Sequence, residues 1–317
     1  MEEQKNKLTD RQLAGEMRKG RRGGAGGKLL IGLGAIVVLI GIIMNGSIPV
    51  VIVGVLIAGL GEWLKSKSKG AADQQVYDNI VPDVVNAVFD NVQMDPTPHL
   101  LDVKDTNIPL PDHTYCSGSG YVRGTYQGLT AELCTVTLTD AKEFQREETG
   151  LWEKNEQVVY TGQWMLCELG REFPMWLTIW PRGRLDKLFN SRTIKTENKE
   201  FNKKFNLSSD DEQAALRILN HSRMERLMKL AETSGKFAVN LNTDGRLYIA
   251  AHCDRGFFDP GKGREKPDAL RQRYTRELKW FTEVIDTFRP LLRRNCHDFG
   301  ACCIAASGRC DRYRAGL

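Results

Sequence analysis

From Leu29 to Gly61 the chain carries no Asp, Glu, Lys or Arg, and no other feature limits its fold as much. The run has two halves, Leu29 to Met44 and Ile48 to Gly61, split by Asn45-Gly46-Ser47. A helix that crosses a bilayer needs roughly 20 apolar residues, with about 17 near the lower limit. Counted strictly each half is short, but Gly26 to Lys28 before the first and Glu62 to Leu64 after the second bring both near that limit. Two helices joined at the tripeptide would satisfy their own backbone hydrogen bonds in lipid. Pro49 falls in the first turn of the second helix, where its missing N–H costs nothing.

Two rival readings fit less well. A signal peptide has one apolar stretch of about 7–15 residues and then a cleavage site, whereas here a second apolar run follows at once. A buried pair of core helices would need a large apolar domain around it, and the residues after Lys69 are not unusually apolar. The expectation is a transmembrane helical hairpin over residues 28–64, with Gly32, Gly34, Gly41, Gly54, Gly59 and Gly61 allowing close helix approach or reflecting the tolerance of membrane helices for glycine.

Residues 1–28 hold eight Lys or Arg against four Asp or Glu, and Lys65, Lys67 and Lys69 follow the second half against Glu62. Basic residues stay on the cytoplasmic side. Both termini are therefore expected in the cytoplasm, with the chain in the cell inner (cytoplasmic) membrane and anionic lipid headgroups near the basic flanks. The formal net charge of +5 resides in those flanks. Nucleic-acid binding would require a basic face on the folded domain, and none is visible.

Residues 1–27 read as a disordered basic leader and 65–105 as a juxtamembrane helix and linker, with Pro82 as a break or kink. An α+β domain with an antiparallel sheet and packed helices is expected over 106–261. "YVRGTYQGLTAELCTVTLTD" suggests a hairpin broken by Gly124 and Gly128, then a long strand. "AKEFQREETGLWEKNE" reads as a charged, solvated excursion. "QVVYTGQWMLCEL" and "PMWLTIWP" read as strands whose Trp164, Trp176 and Trp180 pack the sheet. Ser208 or Ser209 is read as a helix cap. "HSRMERLMKLAETSG" has an apolar helical face closed by Gly235, and Asn242-Thr243-Asp244-Gly245 joins two alternating strands. Residues 262–294 are expected to form a basic amphipathic helix, carrying Leu270, Tyr274, Leu278, Phe281, Ile285, Phe288 and Leu292 at helical spacing. Its basic face suits anionic lipid, a partner, or simple exposure. Residues 295–317 read as a cysteine-containing flexible tail.

Several stretches carry a resemblance: Glu200, Phe201 and Phe205 in "ENKEFNKKF", Met224 to Leu227 as "MERL", Leu247 to Ala250 as "LYIA", and Phe258-Asp259-Pro260. Gly124 and Gly162 stand at recurring glycines upstream. In these the chain resembles domain-of-unknown-function family 3137, an uncharacterised bacterial membrane-associated family with an N-terminal transmembrane hairpin. The similarity covers roughly residues 25–261. It departs at "CSGSG", Cys116 to Gly120, and again after Gly261. The resemblance implies the architecture and adds no catalytic residue.

No catalytic motif stands out. "CSGSG" lacks the Gly-x-Ser-x-Gly elbow and reads as a flexible turn, and "GKGREKP" lacks the phosphate-loop spacing. The eight cysteines are Cys116, Cys134, Cys167, Cys253, Cys296, Cys302, Cys303 and Cys310, with no Cys-x-x-Cys pair among them. His113 with Cys116, His252-Cys253 and Cys296-His297 carry the one chemical alternative, a membrane-associated metal-binding protein or enzyme using a His/Cys cluster. Cys134 and Cys167 read instead as buried small hydrophobes. No catalytic, cofactor-binding or metal residue is assigned. The functional expectation is a membrane-anchored cytoplasmic interaction or scaffold module with a protein partner.

Overall fold

Thr9 and Gln12 start the first helix. The Gln12 backbone N–H donates to the Thr9 hydroxyl at 3.4 Å, and the Thr9 N–H donates to the Gln12 side chain at 2.9 Å, a reciprocal cap for donors that a helix start leaves open. A computed structural model describes residues 8–43, 47–95, 101, 103, 106–145, 152–183, 193–253, 255–261 and 265–289. In it α1 spans Asp10–Ile43 and α2 spans Ile48–Asn86. Their 34 and 39 residues reach about 51 and 58 Å, well beyond a hydrocarbon core of about 30 Å. The two helices form a membrane-length hairpin whose inner part fits lipid and whose outer part is a stalk.

The stretch read as a disordered leader is therefore helical from Asp10. Leu13 and Met17 are buried with Val76, Ile80 and Val84 of α2 in one cluster with the domain core. That tertiary burial outweighs the Gly- and Arg-rich composition that argues for disorder. Nor does Pro82 break α2. Ile80, Val81, Val84 and Val85 on either side of it are buried, and burying four such side chains offsets the roughly 3 kcal/mol cost of an internal proline.

Small residues recur every seventh position: Gly20, Gly27, Gly34 and Gly41 in α1, and Ser47 at the N-cap of α2 with Gly54, Gly61 and Ser68 inside it. Inside the span they bring backbone against backbone. A Cβ on Gly34 would lie 2.6 Å from Ala58 N and from Gly54 O, and one on Gly61 would lie 2.7 Å from Gly27 O. Gly32 and Gly59 face away from this seam and meet nothing. On the outer surface Leu29, Leu39 and Leu56 are 65%, 59% and 66% exposed. Only 17% and 11% of the most apolar windows are buried, the reverse of a soluble core helix.

Beyond the stalk one sheet of eight antiparallel strands forms, in the order β1-β2-β3-β4-β8-β7-β5-β6. The strands are β1 Asp90–Asp95, β2 Tyr115–Tyr126, β3 Leu129–Gln145, β4 Trp152–Glu168, β5 Leu177–Pro181, β6 Phe205–Ser209, β7 Phe237–Leu241 and β8 Arg246–His252. Among the described residues the further helices are α3 Lys199–Lys204, α4 Glu212–Ile218, α5 His221–Ser234 and α6 Pro267–Phe288. Alternation along the strands sends Met165, Val239 and Ile249 to the face covered by α2, α5 and α6. Trp164, Trp180, Tyr248 and Ala250 go to the other face, which Leu101, Val103 and Ile108 of the proline-rich connection cover.

Four local readings change. Ser208 and Ser209 lie in β6, and the cap of α4 is Asp211, whose carboxylate accepts from Ala214 N at 3.0 Å. "CSGSG" is part of β2, its Cys116 to Ser119 paired with Leu138 to Thr135. Gly124 is no break: the turn is Gln127-Gly128, both at positive φ, and Gly124 leaves room for Phe89, which a Cβ would approach to 3.0 Å. Finally, the charged excursion is strand on both sides of residues 146–151, with Asp140 to Gln145 paired to Gln157 to Trp152. Lys142, Glu143, Trp152 and Lys154 to Gln157 of that ribbon are exposed, so no apolar alternation marks it.

Candidate functional site

The β4–β8 ladder sets Gln163 opposite Ala251 on the helix-covered face. The chain after β8 then folds back beneath α6. Phe257 N–H donates to the Thr135 hydroxyl at 2.9 Å, and Tyr274 OH donates to Phe258 O at 2.9 Å. Gly256 is required here, because a Cβ would come within 2.6 Å of Thr135 Oγ1. Phe257 packs against Phe281, and Phe258 against Tyr274. These anchors hold Arg255 against α6.

Glu277 sits at the centre of the resulting polar cluster. Arg255 Nη2 lies 2.7 Å and Arg273 Nη1 3.5 Å from its Oε1, and Gln163 Nε2 donates to Oε2 at 3.4 Å and to Gly256 O at 3.1 Å. Burial pushes the Glu277 carboxyl above its usual range, against the opposing pull of Arg255 and Arg273. Arg273 also binds Glu265 at 3.1 Å and donates to Asp259 O at 2.8 Å, so its guanidinium is fully engaged in structure.

Around this cluster runs an open groove of about 800 Å³ between α6, α5 and the end of β8. Five cationic side chains line it, Arg255, Arg271, Arg273, Arg276 and Lys279, against two anionic ones, Glu277 and Glu283. Arg271 is paired with Asp10 of α1 at 2.6 Å. Arg276 and Lys279 are exposed and have no anionic partner among the described residues. Trp280, Phe281 and Ala251 supply apolar floor. The groove therefore offers two exposed cations beside apolar surface, the chemistry that suits an anionic partner.

The apolar face of α6 is fully used inside the domain, with Leu270, Tyr274, Leu278, Phe281, Ile285 and Phe288 all buried. Only its basic face remains for a partner. The structure does not bring the His/Cys pairs together. His113 is exposed, its Nδ1 beside Pro111 O at 3.0 Å. The Cys253 thiol approaches Arg255 O at 3.2 Å and is pushed up by burial, the opposite of an activated thiolate. Among the described residues no three His, Cys, Asp or Glu are placed to hold a metal. Cys296, His297, Cys302, Cys303 and Cys310 lie outside the described residues. Cys134 and Cys167 are fully buried, their thiols raised by burial to about 11 and about 12.

Two long apolar helices paired along a glycine seam, continued by a stalk into an α+β domain, define the class: a multi-pass membrane protein with its folded domain carried at the end of a helical hairpin. Residues 158–289, from β4 to just past α6, match the DUF3137 family, a protein of unknown function. The match begins at Val158 rather than near residue 25, and runs past Gly261 to take in α6. No curated protein matches the chain. A crystal structure of the mycobacterial trehalose monomycolate transport factor A, TtfA, aligns over 67% of this chain and 95% of its own, at 8% identity and a TM-score of 0.34.

Proposed function

We propose that the protein is a membrane-anchored cytoplasmic interaction module that docks an acidic segment of a protein partner in the groove on α6. The observation that supports this is that Arg276 and Lys279, which have no anionic partner among the described residues, stand beside the apolar floor of Trp280 and Phe281. The positions of Arg255 and Arg273 are held by Glu277, so the groove is preorganised and loses little entropy on binding. The basic flanks of the hairpin support a cytoplasmic domain, with both termini on that side of the inner membrane and anionic headgroups around the flanks.

Crosslinked pull-down of the full chain from native membranes tests the docking, comparing wild type with Arg276→Glu/Lys279→Glu and with Arg276→Lys. The expected result is a partner retained by wild type and by Arg276→Lys, and reduced at least about tenfold by charge reversal. Reporter fusions at residues 46 and 317 test the side. A partner set unchanged by charge reversal, or an extracytoplasmic C-terminus, defeats the reading.

A further inference from the structure

We propose that the paired ends of β3 and β4 form an arm that returns to the bilayer and seats Trp152 in its headgroup layer, a second lipid contact beside the hairpin. Two packing contacts orient the sheet against α2. Phe89, just beyond α2, packs on Tyr126 at the β2–β3 turn, ring centroids 6.2 Å apart. Nearer the lipid, Tyr77 packs on Phe258 at 6.4 Å, and the neighbouring Phe257 binds Thr135 of β3. Moving along α2 toward the membrane therefore means moving along β3 from Leu129 toward Thr135. The strand continues in that direction to Gln145, paired with Trp152 of β4.

The other strands stop short. β8 leaves β4 at the Gly162–His252 pair and β2 leaves β3 at Tyr115–Thr139, so Asp140 to Gln145 and its partner strand run on as a two-stranded ribbon. From Thr135 to Gln145 at about 3.3 Å per residue the strand covers about 33 Å. From Tyr77 back to Leu64, where the apolar run of α2 ends, the helix covers about 20 Å at about 1.5 Å per residue. An arm inclined to α2 by as much as about 50° still reaches the headgroup plane.

What the arm presents there fits that layer. Trp152 is 69% exposed at the last described pair of the ribbon, and Trp63 is 56% exposed where α2 leaves the lipid. An indole with its polar N–H favours this depth. The ribbon's charge decides the kind of contact. Asp140, Glu143, Glu153 and Glu156 outnumber Lys142 and Lys154, so anionic headgroups would repel it. Its sign is instead opposite to that of Lys28, Lys65 and Lys67 beside the span. The contact is aromatic insertion among neutral headgroups, independent of anionic lipid.

The full chain is reconstituted in phosphatidylcholine vesicles with and without lipid brominated near the top of the acyl chain, as wild type and as Trp152→Phe. The emission that the substitution removes belongs to Trp152. It should fall by about half or more with brominated lipid and resist aqueous iodide. A photoreactive side chain at position 152 should yield lipid adducts, while one at Gln127, at the far turn, should not. Emission open to iodide and untouched by bromine, or an adduct to a second copy at position 152, overturns the proposal. So does quenching that appears only when anionic lipid is added.

Discussion

His252 shows what burial does to one side chain. Its ring lies edge-on to Tyr160 at 5.3 Å, and Tyr160 OH accepts from Trp164 Nε1 at 2.9 Å. The Tyr160 ring can lie there because position 162 has no side chain, since a Cβ would strike its hydroxyl. Burial first, and Lys236 second, lower His252 from 6.5 to about 4, so the folded protein keeps it neutral where the unfolded chain takes up a proton. The linkage has one sign. Stability is fully present above about pH 6.5 and is lost as pH falls toward about 4, by up to about 3 kcal/mol. His252→Phe keeps an aromatic ring against Tyr160 and removes the titration. Melting curves of the full chain between pH 7 and 4.5 should fall more steeply for wild type than for this variant; parallel profiles would show that His252 is not the titrating group.

Among the elements, the hairpin is the most exacting, because its seam is backbone on backbone. Gly34 and Gly32 are about half a turn apart in the same helix, so only Gly34 faces Ala58 and Gly54. Gly34→Leu should force the helices apart at a cost of about 1–3 kcal/mol. Gly32→Ala should be neutral or slightly stabilising, as alanine is favoured over glycine in helices. Disulfide trapping across the hairpin in vesicles, between cysteines placed at Val38 and Val51, checks both. Equal trapping in Gly34→Leu and wild type would refute the seam. The β3–β4 ribbon behaves differently. Its residues are charged on both faces, and beyond strand pairing Lys154 Nζ donates to Tyr115 OH at 2.7 Å.

For the whole molecule, the stalk determines how the domain is carried. Leu13 and Met17 join the core that α6 and the sheet build. Leu8 N–H donates to Asn79 Oδ1 at 2.9 Å, and Asp10 meets Arg271 at 2.6 Å. The domain is thereby fixed to the hairpin rather than tethered by a loop. Leu13→Asp, far from any strand in sequence, should lower the stability of the full chain in detergent by about 2–5 kcal/mol. Unchanged melting, with unchanged hydrogen exchange in α6, would mean that the N-terminal segment is the loose leader its composition suggests.

The sequence by itself determined the hairpin, since an uncharged run of that length has few other homes, and it determined α5, α6 and the β7–β8 turn. There the periods of apolar residues and the Asp244-Gly245 turn are local signals. It could not show α1 beginning at Asp10, because the residues that bury Leu13 and Met17 lie in α2, more than fifty positions away. It could not tell a ribbon from a loop at Asp140 to Gln145, since the charges at Asp140, Lys142 and Glu143 suit either. The groove was equally hidden. Gln163, Arg255 and Glu277 belong to a strand, a loop and a helix, and their carboxylate–guanidinium contacts arise only when the sheet pairs β4 with β8 and α6 is laid across it.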